Sequence, residues 1–125
     1  MSLRSRVLKG AALAAVVLVP TIAFADADGQ VGTVASLTIN ESTADDYATE
    51  RGSIVVNEGS QTRKYQWGGT SCSGYVLSAT NIQMLVEAMQ NRDKLQIVPS
   101  YKTGGMLARC LVGFKLQAVT VLVAQ

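Results

Sequence analysis

Residues 67–74 read WGGTSCSG, a stretch that crowds glycines and hydroxyls around a thiol. Gly69-Thr70-Ser71-Cys72-Ser73 approaches the G-x-S-x-G pattern of a nucleophile elbow, but Ser73 stands where that pattern needs its second glycine. The phosphate-loop pattern fails as well, because no Gly-Lys-Ser/Thr follows. A serine or thiol nucleophile needs a base, and the chain contains no histidine. That removes the Ser-His and Cys-His dyads together with the commonest ligand of zinc and iron. Two cysteines cannot complete a four-thiolate site. Asp45 and Asp46, with Glu41 and Glu50 nearby, are the carboxylates that acid–base or calcium chemistry would use. Adjacent aspartates point apart on most backbones and the EF-hand spacing is absent, so this segment reads as a solvated loop. No catalytic residue, metal or cofactor is expected, and the chain reads as a non-enzyme.

The glycine-rich stretch then has a structural reading: Gly68 and Gly69 permit a sharp turn, hydroxyls satisfy local amides, and Cys72 ties the turn to a partner. The partner is Cys110, provided the compartment is oxidising. The first residues argue that it is. Arg4, Arg6 and Lys9 precede an apolar run from Ala11 to Val19, and Ala23-Phe24-Ala25 is a small-residue cleavage site, the three-part pattern of a secretory signal peptide. Pro20 interrupts the run well short of the roughly 20 apolar residues that span a bilayer. Cleavage after Ala25 fits best, with a cut after Ala27 nearly as good because Ala25-Asp26-Ala27 repeats the pattern, so 1–25 reads as leader and 26–125 as one small exported domain, secreted or periplasmic. A disulfide closing the 38-residue separation of Cys72 and Cys110 would stabilise that domain by roughly 4 kcal/mol on the chain-entropy argument; two free buried thiols are the alternative.

Charge follows the same division. Of 11 basic residues three lie in the leader, leaving eight against nine acidic ones. A near-neutral domain has no field to collect nucleic acid, and no membrane span remains after cleavage.

Hydropathy patterning supplies the elements. Val31, Ala35, Leu37 and Ile39 alternate with Gly32, Ser36, Thr38 and Asn40, the period of a half-buried strand. Ser53 to Val56 is a second strand, Asn57-Glu58-Gly59-Ser60 a hairpin turn, and TRKYQW a third strand with Tyr65 and Trp67 on one face. Ile82, Leu85, Val86 and Met89 share one face of a helix over 81–91, with Thr80 and Gln83 at capping-box spacing. Strands resume at Lys94: Leu95, Ile97 and Tyr101 share a face, Pro99 marks an edge or bulge, and Gly104-Gly105 turns the chain. In the last strand Cys110, Val112, Phe114, Leu116 and Ala118 share a face, and a bulge near Ala118-Val119 would re-aim Val119, Val121 and Val123.

Strand, strand, strand, helix, strand, strand is the succession of the OB-fold, a small five-stranded barrel. The fold class read from the sequence is therefore mainly β with one α-helix. NIQMLVEAMQNRDKLQIVPSY, a helix leading straight into a strand, and RCLVGFKL, a late strand carrying a cysteine, give the domain an architecture that resembles the B subunits of AB5-type bacterial toxins. The resemblance implies a ring-forming domain that binds glycans on host cells, although the first cysteine lies at the glycine-rich turn rather than near the mature start. Beside it stands the reading from the residues: a rigid barrel presents Tyr65, Trp67, Gly68, Gly69, Tyr101 and Lys102 to a glycan or a protein, although the core is the favoured place for Tyr65 and Trp67. Pro99 and the apolar last strand suggest edges that pair between copies. An inhibitor of a secreted hydrolase, contacting its target through a loop such as 43–52, is the alternative function, with a small enzyme using Asp45 and Glu50 behind it.

Overall fold

The structure, a computed structural model, describes residues 25–119. The leader expected over 1–25 and the continuation of the last strand through Val121 and Val123 lie outside the described residues, apart from Ala25 itself.

Among the described residues six strands and one helix follow in the order β1 (Ala27–Asp28), β2 (Thr33–Ile39), β3 (Gly52–Glu58), β4 (Gln61–Trp67), α1 (Ala79–Gln90), β5 (Leu95–Thr103) and β6 (Arg109–Ala118), with a 3-10 turn at Gly105–Leu107. All belong to one sheet, ordered β1-β5-β6-β4-β3-β2. Five strands and a helix thus occur in the expected succession. The sixth, β1, is an addition the sequence reading lacked, and the sheet is not closed by a ladder. Among the described residues an isolated bridge, Gly32 to Ile97, links the start of β2 to β5, through bonds of 3.0 and 2.8 Å. All strand pairs are antiparallel except β4 with β6, which run parallel and meet at one bridge, Gln66 to Cys110. Among the described residues no helix is long and apolar enough to cross a membrane.

The inner face of the curved sheet holds Val34, Ile54, Val56, Tyr65, Trp67, Ile97 and Leu111, covered by Leu77, Leu85 and Ala88 from the helix side. Burying such side chains stabilises by about 1.5–3 kcal/mol each, the dominant favourable term here. Two bulges decide which residues face inward. In β2, Ala35 is the extra residue between Val34 and Ser36, so Gly32 and Val34 point in before it and Leu37 after it. The uninterrupted alternation read from Val31 to Ile39 is therefore corrected: Val31 falls on the outer phase before the bulge and is exposed, while Ile39, in phase with Leu37, is exposed at the end of the strand. In β6 the register shifts opposite Ser100 and Tyr101, which leaves Val112 unpaired; just before it Leu111 packs in the core and Cys110 is buried in its disulfide. Pairing runs in register to Ala118, so the bulge expected near Ala118-Val119, with the residues it would re-aim, falls at and beyond the limit of the described residues; the predicted single face of Cys110 through Ala118 is broken at Val112. Pro99 sits between β1 and β6, where the two residues of β1 ask no amide hydrogen of it.

The helix begins two residues earlier than its periodicity suggests. Ser78, not Thr80, is the N-cap, its Oγ accepting from the Asn81 amide at 3.1 Å, and the capping box is not used. Asn91 closes the other end, its Nδ2 donating to the Glu87 carbonyl at 2.9 Å.

Candidate functional site

The glycine-rich turn is tied as expected: Cys72 and Cys110 form a disulfide with a Cα–Cα distance of 5.5 Å. Gly68 and Gly69 have φ of 70° and 71°, a conformation costly for any residue with a Cβ, and a Cβ on Gly69 would overlap the Thr49 carbonyl. The amides of Thr70 and Ser71 donate to the carbonyls of Ala48 and Thr49 at 2.9 and 3.1 Å, so backbone carbonyls, not the expected hydroxyls, satisfy this turn. The stretch that looked most like chemistry is thereby a clasp between the 41–51 loop and the last strand.

That clasp positions Tyr75. Its carbonyl accepts from Gly68 at 2.7 Å and its amide donates to Cys72 at 3.0 Å. Facing it is the end of β5, where Tyr101 keeps the phase of Ile97 and Pro99 and pairs with Leu111 past the β6 bulge. The Tyr101 ring packs against Tyr65 at a centroid distance of 5.6 Å, and the Arg109 guanidinium lies 5.8 Å from its centroid. A third wall comes from the N-terminal segment: β1 pairs Ala27 with Tyr101 and Asp28 with Ser100, the Ser100 hydroxyl donates to Asp28 at 2.9 Å, and Gly29 donates to the Pro99 carbonyl at 2.8 Å. Lys102 Nζ meets Asp26 at 3.0 Å, and that carboxylate holds the ammonium above its usual range. Ala25, Ala27, Tyr75, Tyr101, Lys102 and Thr103 together line a cavity of about 340 Å³.

Beneath the groove lies a buried polar cluster. Glu58 is inside, where it accepts from the Tyr65 hydroxyl and, at 3.2 Å, from the Gln30 amide. Arg63 Nε stands 3.3 Å from the same carboxylate as an ion pair without an aligned hydrogen bond. Burial first, then the bond to Glu58 and its negative charge, push the Tyr65 phenol well above the usual tyrosine range. Gly29 packs directly on the Tyr65 hydroxyl, so a Cβ there would collide with it. Glu58 and Tyr65 therefore fix both the N-terminal wall, through Gln30 and Gly29, and the ring behind Tyr101.

The residues singled out from the sequence fall into three places. Tyr101 and Lys102 come together in the groove. Gly68 and Gly69 line a separate cavity of about 400 Å³ with Arg51, Ser73 and Val76. Tyr65 and Trp67 are 0% and 3% exposed and belong to the core, where neither ring offers a face to a ligand. Sequence reasoning missed Tyr75, Thr103, Asp26 and Glu58. For Glu58 a signal existed, since it continues the inward period of Ile54 and Val56; the Asn-Glu-Gly-Ser composition disguised it as turn, whereas the hairpin loop is only Gly59-Ser60. For Tyr75 and Asp26 there was none, because their partners come from distant parts of the chain.

Comparison with known proteins finds no family model, no curated protein and no solved structure that matches this chain.

Proposed function

We propose that the chain is an exported, non-enzymatic binding module that recognises a glycan through the Tyr75–Tyr101 groove. The observation that carries the reading is the convergence of two tyrosines, an ammonium and a hydroxyl on one open cavity over a rigid support. Aromatic faces take the apolar face of a sugar ring, while Lys102 and Thr103 supply the directional hydrogen bonds that fix its orientation. Export rests on the leader-like residues 1–25 and on a disulfide suited to an oxidising compartment. A cut after Ala25 keeps Asp26, the partner of Lys102, and the whole of β1; a cut after Ala27 removes both, so the groove favours the first. The strand order β2-β3-β4-β6-β5, with the helix after the third of these, supports an OB-like barrel whose closing contact is the Gly32–Ile97 bridge and to which β1 is added. A glycan array probed with the mature chain and with its Tyr75→Ala and Lys102→Ala variants tests the reading. At least one glycan should retain the parent and release each variant about tenfold more readily; an array that retains nothing overturns it.

A second reading, an inhibitor of a secreted hydrolase, draws on one separate feature. Met106 and Leu107 are 98% and 84% exposed at φ of 54° and 61°. Two apolar side chains held outward in the left-handed region cost the fold energy without packing in return. The Gly104 amide on the Ala108 carbonyl (2.7 Å) and the Gly105 amide on Ser71 (2.8 Å) fix this tip beside the disulfide, ready for a concave pocket. This reading requires a stoichiometric complex with a secreted hydrolase that a Met106→Gly, Leu107→Gly double variant fails to form.

A further inference from the structure

We infer that the cavity over the glycine-rich turn binds the oxyanion of an acidic sugar, a carboxylate or a sulfate, on Arg51. Its volume is about 400 Å³, and Gly68 and Gly69 share its wall with Arg51, Thr70, Ser73 and Val76. Among the described residues Arg51 is the one charged group in that lining, and no carboxylate lies within ion-pair distance of it. The acidic side chains of the same loop are placed elsewhere: Glu50 is held by Lys64 at 2.7 Å, and Asp45 and Asp46 are outside the lining.

The guanidinium is positioned before any ligand arrives. Its Cζ stands 3.8 Å from the Tyr47 ring centroid, a cation–π contact that takes up one of its faces. Its stem lies against Gly68, where a Cβ would overlap it, so the positive φ that favours glycine also makes a seat for the arginine. The Arg51 amide donates to the Trp67 carbonyl and the Arg51 carbonyl accepts from the Asn40 amide, both at 2.9 Å, which ties the backbone on either side. A stacked guanidinium keeps its N–H edge, the fork that matches two oxygens of a carboxylate or sulfate, and loses little freedom in using it.

The hydroxyls expected to close the turn have no such duty. Backbone carbonyls satisfy its amides, and among the described residues neither the Thr70 nor the Ser73 hydroxyl makes a hydrogen bond. Both residues are exposed, so each hydroxyl can donate to and accept from a hydroxyl of the ligand. Val76, 85% exposed on the same cavity, offers the apolar contact that the C–H face of a sugar ring takes. A fork for an oxyanion, two hydroxyls and an apolar patch together suit an acidic sugar, whereas a bare ion would leave Val76 unused. Tyr75 lines the glycan groove while its neighbours Gly74 and Val76 line this cavity, so the site is separate from the groove and goes beyond that reading.

The test titrates the isotope-labelled mature chain with glucuronate, a glucose sulfate and glucose, followed at its amide and arginine Nε–H resonances. Glucuronate or the sulfate should shift Arg51, Thr70, Ser73 and Val76 on one saturating curve, and the tighter of the two identifies the oxyanion. Glucose at the same concentrations should leave them unmoved, and so should either acid leave Arg92, exposed in the turn after α1. Arg51→Lys keeps the charge but loses the fork, and should weaken binding about tenfold. Thr70→Val and Ser73→Ala, changes at exposed positions, should each weaken it by a smaller factor. Tyr75→Ala should leave it unchanged, so that failure of this site and failure of the glycan groove are distinct results. Equal shifts at Arg92, an equal response to glucose, unchanged affinity in Arg51→Lys, or no saturable shift with either acid would each overturn the proposal.

Discussion

At the scale of single residues, the most informative side chain is one that the ligand would never touch. Tyr65 is buried with its hydroxyl on Glu58 and its ring against Tyr101. Replacing it by Phe keeps the ring and leaves a buried carboxylate one donor short, which should cost roughly 1–3 kcal/mol by denaturant unfolding. Burial, with that bond behind it, also sets a pH dependence. A phenol raised in the folded state keeps its proton there while the unfolded chain loses its own near the ordinary value of about 10. Stability from Tyr65 is thus complete below about pH 10 and is lost as pH rises through the folded value. Unfolding midpoints measured across the alkaline range should fall more steeply in the parent than in Tyr65→Phe; equal slopes would remove Tyr65 from the account.

At the scale of elements, the helix offers a clean comparison. Ser78→Ala removes the observed cap and should cost about 1 kcal/mol, whereas Thr80→Ala, at the position the capping-box spacing suggested, should change stability by only a few tenths. Thermal unfolding of the two variants distinguishes them. The helix itself, the hairpin and the succession of elements from β2 to β6 were legible because hydrophobic period is local, and Ile82, Leu85, Val86 and Met89 announce their face within three turns. Phase along β2 and β6 was not legible, because bulges at Ala35 and Val112 answer to what the neighbouring strand offers rather than to their own sequence. The groove divides the same way. Tyr101 and Lys102 stood out as an aromatic beside a cation, while Tyr75 and Asp26 reach it only through the disulfide clasp and through β1, and two residues of β1 carry no periodic signal.

At the scale of the whole molecule, a small domain with a modest core depends on its covalent tie. Removing it in a Cys72→Ala, Cys110→Ala variant should cost about 4 kcal/mol, of the order expected for a loop of 38 residues. The loss should show first in the Tyr75 wall, which the clasp holds. Chemical denaturation with and without reductant measures it, and indifference to reductant would mean that packing alone holds that wall. The central claim concerns what this scaffold presents: a rigid groove made by three remote segments. Its most direct test is a resonance-resolved titration of the labelled mature chain with a glycan retained on the array. Shifts concentrated at Tyr75, Tyr101, Lys102 and Thr103, saturating together, are the predicted result. Saturating shifts centred elsewhere on the molecule, with these four unmoved, would contradict it.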